Sequence, residues 1–563
     1  MIGWREIERV SSKRAFPDLE EITEKILNTR GIFTEQQRQT FFFPNYERDL
    51  KDPFWLGDME KAVERVRQAM EKDEKVCIFG DYDADGVTAS VLLKNVLDQL
   101  NVNSFYYIPD RNKEGYGLNL EALDYIKKQG AKLIITVDSG ISSEKEVAKT
   151  QELGMEVIIT DHHHPPKELP KALAVINPKK KGDKYPFKDL AGVGVAFKLA
   201  QALYQKFPHL NKDQLKWLLD LVALGTIADC VPLIGENRVL VKYGLIVLAK
   251  TKRVGLKQLF SVGKLAINSD CPPNSQQIAF QVAPRINAAG RMDHANTACG
   301  LLSCSEKEEA EARVLALEVE EQNQRRQKVT KQIIQEIEER LAKNLTGDLI
   351  WESSMYWEMG VLGLVAGKVA ERYNRPTFIL QEKEGLIKGS GRSAGGFNLI
   401  EALEKNAELL EKYGGHSQAA GLVIKKENEA IFLEKFKTLI DQEKIADWSK
   451  KAIVDAKIYP EEINDKLLAE LAFLEPFGEG NKKPLFLMEK VEILEVKLLG
   501  KEQKHLKIWL KKPRGFLEAI GFDMKDKLEE TKAGRINVLF HLEEDSWNGR
   551  KKIQLRLVDL ESA

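Results

Sequence analysis

Three carboxylates follow an apolar strand in Val76-Cys77-Ile78-Phe79-Gly80-Asp81-Tyr82-Asp83-Ala84-Asp85-Gly86. Carboxylates this close together repel one another unless cations neutralise them. A polar turn in which an aspartate caps the next helix is an ordinary alternative, but it needs one such residue and not three. The stretch therefore predicts a strand that ends in a metal site.

The same pattern recurs at two further strand ends. Ile134-Ile135-Thr136-Val137 runs into Asp138-Ser139-Gly140, and Val157-Ile158-Ile159-Thr160 runs into Asp161-His162-His163-His164. Helical patterns lie between the strands, the first at about 87–100. This alternation indicates a parallel sheet covered by helices, and such sheets bind ligands outside the carboxyl ends of their strands. We therefore expect one metal site assembled from distant segments.

The types of ligand narrow the choice of metal. Imidazole suits manganese and zinc, whereas carboxylates suit manganese and magnesium. A calcium loop is disfavoured, because the twelfth position counted from Asp81 is Leu92 instead of a glutamate, and a strand comes first. His164 precedes two prolines and is expected in a loop. Asp229 ends an apolar stretch, either as a helix-ending residue or as a further ligand.

The length of 563 residues exceeds one ordinary core and predicts three or four domains. We expect an α/β protein in which a parallel-sheet domain and a smaller α/β domain are joined by long helices. The tail alternates short strands with turns such as Trp547-Asn548-Gly549, which predicts a C-terminal OB-like β-barrel. The expected boundaries are an N-terminal cap at 1–50, the parallel-sheet domain at 51–248, an insert with connecting helices at 249–345, the second α/β domain at 346–447 and the barrel at 448–563.

The composition says more about the cellular compartment of the protein than about its function. The formal net charge of −1 gives no bulk basic signal, so nucleic-acid binding cannot be argued from total charge. Five cysteines without a Cys-x-x-Cys pair indicate neither a disulfide framework nor a zinc site, and they fit a reducing cytosol. The first residues lack the apolar core of a signal peptide, and no apolar run is long enough to span a bilayer. We therefore expect a cytoplasmic protein.

Four ordered motifs resemble those of the DHH phosphoesterase family. They are Asp81-x-Asp83-x-Asp85-Gly86, Asp138-Ser139-Gly140, Asp161-His162-His163 and Gly225-Thr226-Ile227-Ala228-Asp229. The run Gly414-Gly415-His416-Ser417-Gln418-Ala419-Ala420-Gly421 resembles the associated DHHA1 domain. Residues 283–292 and 474–481 resemble segments of the family's single-strand-specific exonucleases. The resemblance covers about residue 50 to the end, and the full ordered set of motifs is highly specific.

This resemblance implies a phosphodiesterase that uses two Mn²⁺ or Mg²⁺ ions. The implied metal ligands are Asp83, Asp85, Asp138, His162 and Asp229, and the implied catalytic residues are Asp81, Asp161 and His163. Asp138 would bridge the ions, since in-line attack places charge on two oxygens and two cations about 3.5–4 Å apart clamp both. His163 would face the scissile phosphate, and Asp161 would orient its neighbours. Asp81 would be a ligand or act through water.

The implied activity is stepwise 5′-to-3′ hydrolysis of single-stranded DNA to 5′-mononucleotides, in DNA repair and recombination. The implied architecture is a clamp, in which a long helix joins the DHH and DHHA1 domains and the OB-like domain closes the ring. We expect a monomer that takes single-stranded DNA with a 5′ end. A single-strand-binding protein and a helicase are candidate partners.

Seven residues are candidates for contact with the nucleic acid, namely Arg111, Tyr116, Arg285, Arg291, Ser390, Arg392 and His416. Arg392 and Ser390 offer a charged fork and a small hydroxyl for a 5′-phosphate. Arg111 either joins them or is a surface arginine.

For Tyr116 and His416, an ordinary structural role is the alternative to contact with the nucleic acid. Tyr116 would stack on a base, because stacking tolerates any sequence, or it is a packing residue. Arg285 and Arg291 would line the channel. His416 would touch a backbone phosphate, or its Gly-Gly-His run forms a tight turn.

Three other functions share these motifs. A small-substrate phosphodiesterase for short oligoribonucleotides or cyclic dinucleotides generally lacks the tail at 448–563. A pyrophosphatase is disfavoured by Gly-Gly-His-x-x-Ala-Ala-Gly, and a non-enzymatic replication scaffold by the intact acids and histidines. One departure is Glu358, where many relatives carry His or Asn; an acid there would repel phosphate.

Overall fold

The computed structural model describes residues 3–6, 19–111, 113–344, 347–442, 451–545 and 552–563. The chain divides into two compact units. The larger unit, residues 50–231 and 236–449, contains all the predicted site residues. The smaller unit comprises residues 1–49, 232–235 and 450–563. The predicted turn Trp547-Asn548-Gly549 and the predicted boundary at 447/448 lie outside the described residues.

The strands of the described chain have the following bounds: β1 Gly3–Glu6, β2 Lys75–Phe79, β3 Ser104–Tyr107, β4 Ala131–Val137, β5 Glu156–Thr160, β6 Ala174–Ile176, β7 Ile350–Ser354, β8 Thr377–Lys383, β9 Leu386–Arg392, β10 Leu410–Gly415, β11 Ala419–Lys425, β12 Lys451–Val454, β13 Ala456–Lys457, β14 Phe486–Leu499, β15 His505–Lys511, β16 Phe516–Gly521, β17 Arg535–Asp545 and β18 Lys552–Ser562.

The α-helices have the following bounds: α1 Glu21–Thr29, α2 Glu35–Phe42, α3 Tyr46–Asp49, α4 Met59–Glu71, α5 Ala84–Gln99, α6 Leu120–Lys128, α7 Glu144–Glu152, α8 Gly192–Lys206, α9 Lys212–Trp217, α10 Leu219–Ala228, α11 Gly235–Ala249, α12 Val254–Val262, α13 Ser275–Gln277, α14 Ala283–Met292, α15 Asn296–Ser303, α16 Glu309–Asn344, α17 Met359–Tyr373, α18 Leu399–Glu404, α19 Glu429–Gln442 and α20 Asp465–Phe473. Within the described ranges, none of these helices combines the length and the apolar character needed to cross a membrane.

The larger unit contains the parallel sheet predicted from the sequence. Its strands lie in the order β3-β2-β4-β5-β6, and every neighbouring pair is parallel. Strands β2 and β4 are almost wholly buried, as expected when helices cover both faces. Val137 pairs with Thr160 in register. The residues that follow β4 and β5 therefore leave the sheet side by side.

Helix α5 begins at Ala84, three residues before the predicted start at Val87. The reason is that the Asp83 side chain accepts hydrogen bonds from the backbone amides of Asp85 and Gly86, at 2.9 and 3.1 Å, and so caps the helix. Asp85 then lies in the first turn, where the helix dipole favours a negative charge.

The second α/β region of the larger unit is a five-stranded sheet in the order β10-β11-β9-β8-β7. Only β7 and β8 are parallel; the other pairs are antiparallel. Phe378, Phe432 and Phe436 form an aromatic part of its core. The charged segment near 306–345 is one α-helix of 36 residues, α16, which packs against α12, α14, α15 and α17.

The smaller unit confirms the predicted OB-like barrel. Strands β14, β15, β16, β18 and β17 pair in that order, and β14 also pairs with β17, which closes the barrel. The sequence pattern did not reveal β16. Residues Ile26, Leu27 and Phe42 of the predicted N-terminal cap belong to the same hydrophobic core as the barrel strands. The predicted domain boundaries themselves stay a prediction.

Candidate metal centre

The ends of the parallel strands bring the predicted ligands together, as expected. Three groups have ligand atoms within 4.8 Å of one another. Their members are Asp81, Asp83 and Asp138; Asp138, His162 and His163; and Asp85, His162 and Asp229. The first and third groups are linked because Asp138 and His162 also share the second group. The cluster can therefore accommodate more than one cation.

The carboxylate of Asp85 is held at the amino end of α8. Its two oxygens accept hydrogen bonds from the backbone amides of Gly192 and Val193 at 2.7 and 2.8 Å. A carboxylate oxygen has two lone pairs, so each of these oxygens keeps one for a cation. Helix α8 thereby fixes the orientation of a predicted ligand that α5 supplies.

Asp138 occupies the middle of the cluster. Its backbone has a φ of 57°, which turns the chain sharply at the end of β4. Its Oδ1 atom lies 3.2 Å from Nε2 of His162, and Oδ2 of Asp229 lies 3.5 Å from the same nitrogen. A Cβ atom on Gly192 would come within 2.5 Å of the Asp138 side chain, so only glycine permits this approach.

Asp161 is buried and holds the histidines that follow it. Its Oδ1 accepts hydrogen bonds from the backbone amides of His162 and His163 at 2.7 and 3.0 Å, and Nδ1 of His163 lies 2.8 Å from the same oxygen. Its Oδ2 accepts from the amide of Ile141 at 3.0 Å. All of these contacts orient neighbouring groups. The orienting role expected for Asp161 fits this geometry and stays a prediction.

The residues of the cluster pass a direct test for metal binding. Within the described chain, several buried side-chain atoms have no hydrogen-bond partner. They are Oδ1 of Asp81, Oδ1 of Asp138, both ring nitrogens of His162, and Oδ2 of Asp229. Buried polar atoms without partners are costly, and the atoms concerned are oxygen and imidazole ligands. This donor set fits manganese or magnesium.

Electrostatic repulsion between the carboxylates also indicates a cation site. Burial, followed by neighbouring carboxylates, raises the pKa of Asp85 to about 7 and that of Asp229 to about 9. Burial and adjacent acids also raise the pKa values of Asp81 and Asp138 well above the ordinary carboxyl range. A cation in the cluster would relieve this repulsion and let the carboxylates ionise at neutral pH.

The surroundings of His162 and His163 shift their pKa values in opposite directions. Burial and the adjacent His163 lower the pKa of His162 to about 3, so that its imidazole is neutral, as a metal ligand must be. Burial opposes the charge of His163, but the Asp161 carboxylate outweighs burial and raises its pKa. For Asp161 itself, burial acts upward, and the hydrogen bonds from His163 and Ile141 bring its pKa below the usual value.

Three of the predicted nucleic-acid residues form a positive group that we call the arginine cluster: Arg111, Arg291 and Arg392. Burial, and then the charge of Arg111, lowers the pKa of Arg291 to about 10. The same two causes lower the pKa of Arg392. The Arg111 guanidinium lies 4.8 Å from the ring centroid of Tyr82, which lies between two of the metal-site aspartates. Mutually repelling, half-buried guanidinium groups are typical of an anion site.

Ser390 lies beside this cluster. A Cβ atom on Gly363 of α17 would be 3.0 Å from Nη2 of Arg392 and 3.3 Å from Oγ of Ser390. Both side chains of β9 therefore face the same point of α17, and the predicted fork and hydroxyl are adjacent.

The other nucleic-acid candidates lie in different surroundings. Nε of Arg285 donates to Glu320 of α16 at 2.6 Å, which is a structural ion pair. His416 follows β10, and its backbone amide donates to the carbonyl of Ala419 at 2.8 Å in a tight turn. Tyr116 hydrogen-bonds at the metal centre, where its hydroxyl donates to the Asp138 carbonyl at 3.1 Å. The functional roles proposed for these residues stay predictions.

Glu358, the acid that was expected to repel phosphate, forms an ion pair. Both of its carboxylate oxygens accept from Nη2 of Arg325 on α16 at 3.2 Å. This cation of the same unit offsets the repulsion between Glu358 and a phosphate.

Comparison with known proteins identifies the family. The model of the DHH family N-terminal domain matches residues 75–226, the DHHA1 model matches 314–442 and the RecJ OB model matches 454–559. The single-stranded-DNA-specific exonuclease RecJ of Bacillus subtilis is 40% identical over 540 residues, which cover 95% of this chain and 67% of that protein. RecJ of Escherichia coli K12 is 33% identical over 98% of this chain and 97% of its own length. This chain belongs to the RecJ family.

Solved RecJ structures support the cofactor prediction. RecJ from Thermus thermophilus in complex with Mn²⁺ matches with a TM-score of 0.85 at 28% identity, over 100% of this chain and 80% of that one. The corresponding Mg²⁺ complex matches with a TM-score of 0.79 at 27% identity, over 100% and 79%. The prediction of Mn²⁺ or Mg²⁺ is confirmed at the level of the family. The number of ions in this chain stays a prediction.

Some residues of this RecJ-family site were missed by sequence reasoning. Oδ1 of Asn287 accepts from the backbone amide of Ala84 at 2.8 Å and holds the start of α5. The amides of Gly192 and Val193 hold Asp85. The run Ala191-Gly192-Val193-Gly194 was the available signal, because a glycine-rich helix start often binds anionic groups.

Proposed function

We propose that this chain is a metal-dependent exonuclease that degrades single-stranded DNA from its 5′ end to 5′-mononucleotides. One observation carries the proposal: the metal-ligand cluster and the arginine cluster lie next to each other within one unit. Burial has the largest effect on the pKa values of Asp81 and Arg291, and each also feels the opposite cluster. The Arg111 guanidinium lowers the pKa of Asp81, and the Asp83 carboxylate raises the pKa of Arg291. The curated relatives are named single-stranded-DNA-specific exonucleases.

The metal ligands of the proposal are those inferred from the motifs. Asp83, Asp85, Asp138, His162 and Asp229 would hold two ions, and Asp81 joins them as a ligand because its Oδ1 atom is buried without a partner. Bound cations would neutralise the scissile phosphate and the oxygens that gain charge in the transition state.

The protein groups around the cations have separate tasks. Asp161 fixes the ring of His163, whose Nδ1 faces that carboxylate. The opposite ring nitrogen, Nε2, makes no hydrogen bond to a described residue and is available to a phosphate oxygen. Burial opposes a proton on His163, but Asp161 outweighs it and raises the pKa of this imidazole, which favours its donating to a negatively charged oxygen.

The arginine cluster would explain why the enzyme removes nucleotides from the end of a strand and does not cut within it. Guanidinium groups bind phosphate through paired hydrogen bonds, and a terminal phosphate has more charge than an internal one. Anchoring a 5′-phosphate beside the metal centre places the first internucleotide bond at the cations. The product is then a mononucleotide, and the shortened strand presents a new 5′-phosphate.

The barrel offers a second surface for single strands. OB barrels bind oligonucleotides on the face of their second and third strands, which are β15 and β16 here. Trp509 lies on the outer side of β15, with the ammonium groups of Lys497 and Lys507 at 5.0 and 4.8 Å from its ring. A ring flanked by cations suits a base and its phosphates. We propose that this face binds the strand.

The wider setting is also part of the proposal. We propose a monomer in the cytoplasm that acts in DNA repair and recombination. A single-strand-binding protein and a helicase would supply its substrate.

The test is digestion of an internally labelled long single strand with Mn²⁺, with a block at either the 5′ or the 3′ end and with the matching duplex as control. Mononucleotides that only the 5′ block prevents would support the proposal. Cleavage of dinucleotides without cleavage of long strands would favour the small-substrate phosphodiesterase and overturn it.

A further inference from the structure

A basic loop leaves the parallel sheet at the metal centre. Strand β6 ends at Ile176, and the run Asn177-Pro178-Lys179-Lys180-Lys181 follows directly. The buried Asn177 side chain fixes this loop: its Nδ2 donates to the carbonyl of His163 at 2.9 Å, and its Oδ1 accepts from the amide of Lys179 at 2.8 Å. The loop is thus attached to the histidine motif.

The lysines of this loop differ in their partners. Nζ of Lys180 donates to Asp58 at 2.9 Å, and Nζ of Lys188 donates to the carbonyl of Asp183 at 2.9 Å. The ammonium of Lys179 has no hydrogen bond or ion pair with any residue that the structure describes. Lys179 is half-buried, so this unpaired charge does not simply extend into solvent.

Lys179 and Arg111 leave the parallel sheet at opposite edges. The sheet has the order β3-β2-β4-β5-β6, and Lys179 comes three residues after the end of β6. Arg111 of the arginine cluster comes four residues after the end of β3, at the other edge.

These two positive groups therefore lie on opposite sides of the metal centre, whose motifs follow the inner strands β2, β4 and β5. The Arg111 guanidinium lies over the ring of Tyr82, whereas the Lys179 backbone is hydrogen-bonded to Asn177 beside His163. A strand whose 5′-phosphate is held by the arginines and whose scissile phosphate lies at the cluster would continue toward the edge at β6. The next phosphate along the strand would then come to the side of the centre where the unpaired ammonium lies.

We propose that Lys179 binds the phosphate that follows the scissile phosphate, and that it thereby favours substrates of three or more nucleotides. This inference rests on the proposed function. A lysine suits the task, because its compact charge and rotatable donors hold a phosphate without demanding one orientation. A 5′-phosphorylated dinucleotide has only the terminal and scissile phosphates, whereas a trinucleotide also has the third.

The test compares kcat/KM for the 5′-phosphorylated dinucleotide and trinucleotide. The wild-type protein is expected to prefer the trinucleotide by about tenfold, the scale of one charge-assisted contact. K179Q removes most of this ratio, mainly through KM, and K179R restores it. K181Q is the matched control, since Lys181 is an exposed lysine of the same loop, and it retains the ratio.

A second readout is binding of a 3′-labelled single strand in EDTA, where no hydrolysis occurs. One lost phosphate contact lowers the slope of log K against log salt by about 0.7 for K179Q and not for K181Q. The proposal is overturned if wild type shows no trinucleotide preference, if K179Q keeps it, or if K179Q lowers hydrolysis of both substrates equally. Failure of the wild type to degrade long strands would instead refute the proposed function, and it is measured separately.

Discussion

The hydroxyl of Tyr116 lies 3.2 Å from Nδ1 of His163. The same hydroxyl donates to the Asp138 carbonyl at 3.1 Å. A side chain that the sequence suggested for base stacking or simple packing thus touches the histidine of the DHH motif and the backbone of a predicted metal ligand.

Substitutions of Tyr116 separate hydrogen bonding from stacking. We expect Y116F to lower kcat several-fold with little change in KM, because it removes one hydrogen bond of about 0.5–1.5 kcal/mol and keeps the ring. Steady-state kinetics on a single strand measure this. A normal kcat for Y116F, together with a raised KM for Y116A, would assign Tyr116 to base stacking instead.

Asp138 tests the metal cluster. We expect D138A to abolish hydrolysis while the protein stays folded, because the central carboxylate is lost. We also expect D138N to raise the Tm of the protein in EDTA, since it removes a carboxyl group that on folding must either hold a repelled charge or take up a proton. Mn²⁺ should raise the Tm of the wild type and raise that of D138N much less. Near-normal turnover of D138A would refute the two-metal model.

The metal-free protein should lose stability as pH rises. The pKa values of Asp85 and Asp229 are raised to about 7 and about 9, against about 4 in the unfolded chain, so the folded state binds more protons between pH 4 and 9. Stability falls with rising pH wherever the folded state binds more protons.

The contribution of Asp85 and Asp229 to this dependence of stability on pH can be measured by substituting both residues. Tm measured in EDTA from pH 5 to 9 should fall less steeply for D85N/D229N than for the wild type. Saturating Mn²⁺ should flatten the wild-type profile in the same way, because it stabilises the ionised carboxylates. Equal slopes for the wild type and the double variant in EDTA would contradict the assignment.

Arg392 tests the terminal-phosphate site. We expect R392A to lower kcat/KM about tenfold or more for a 5′-phosphorylated strand and much less for a 5′-hydroxyl strand, because the lost charge-assisted hydrogen bonds require the terminal phosphate. R372A is the control, since Arg372 is an exposed arginine of α17 that pairs with Glu338 and is not a candidate for contact with the nucleic acid. Equal losses on both strands would place Arg392 elsewhere on the substrate path.

Trp509 tests the barrel face. We expect W509A to weaken binding of a long single strand about fivefold or more, since one stacked base contributes about 1–3 kcal/mol. Anisotropy in EDTA measures the affinity, and F33A supplies a control at an exposed aromatic of the smaller unit that lies outside the barrel strands. A W509A affinity equal to that of the wild type would remove this face from the binding surface.

Much of the centre followed from local sequence. Asp81, Asp138 and Asp161 each come directly after an apolar strand, and parallel strands end at one edge, so their convergence could be predicted. Asp229 was left between two interpretations, because a helix-ending aspartate and a ligand look alike in sequence. The tertiary structure places its carboxylate 3.5 Å from His162, which favours the ligand interpretation, and that role stays a prediction.

The sequence by itself determined the strand and helix pattern, the order of the motifs and the types of ligand, because these depend on residues that are near neighbours along the chain. The tertiary structure decided which groups face the same point: Gly192 against Asp138, Asn287 against Ala84, and Arg325 against Glu358. Each of these pairs joins segments that are far apart in the chain, and their approach depends on how α8, α14 and α16 pack. No local pattern encodes that packing, since many arrangements of helices satisfy the same periodicity.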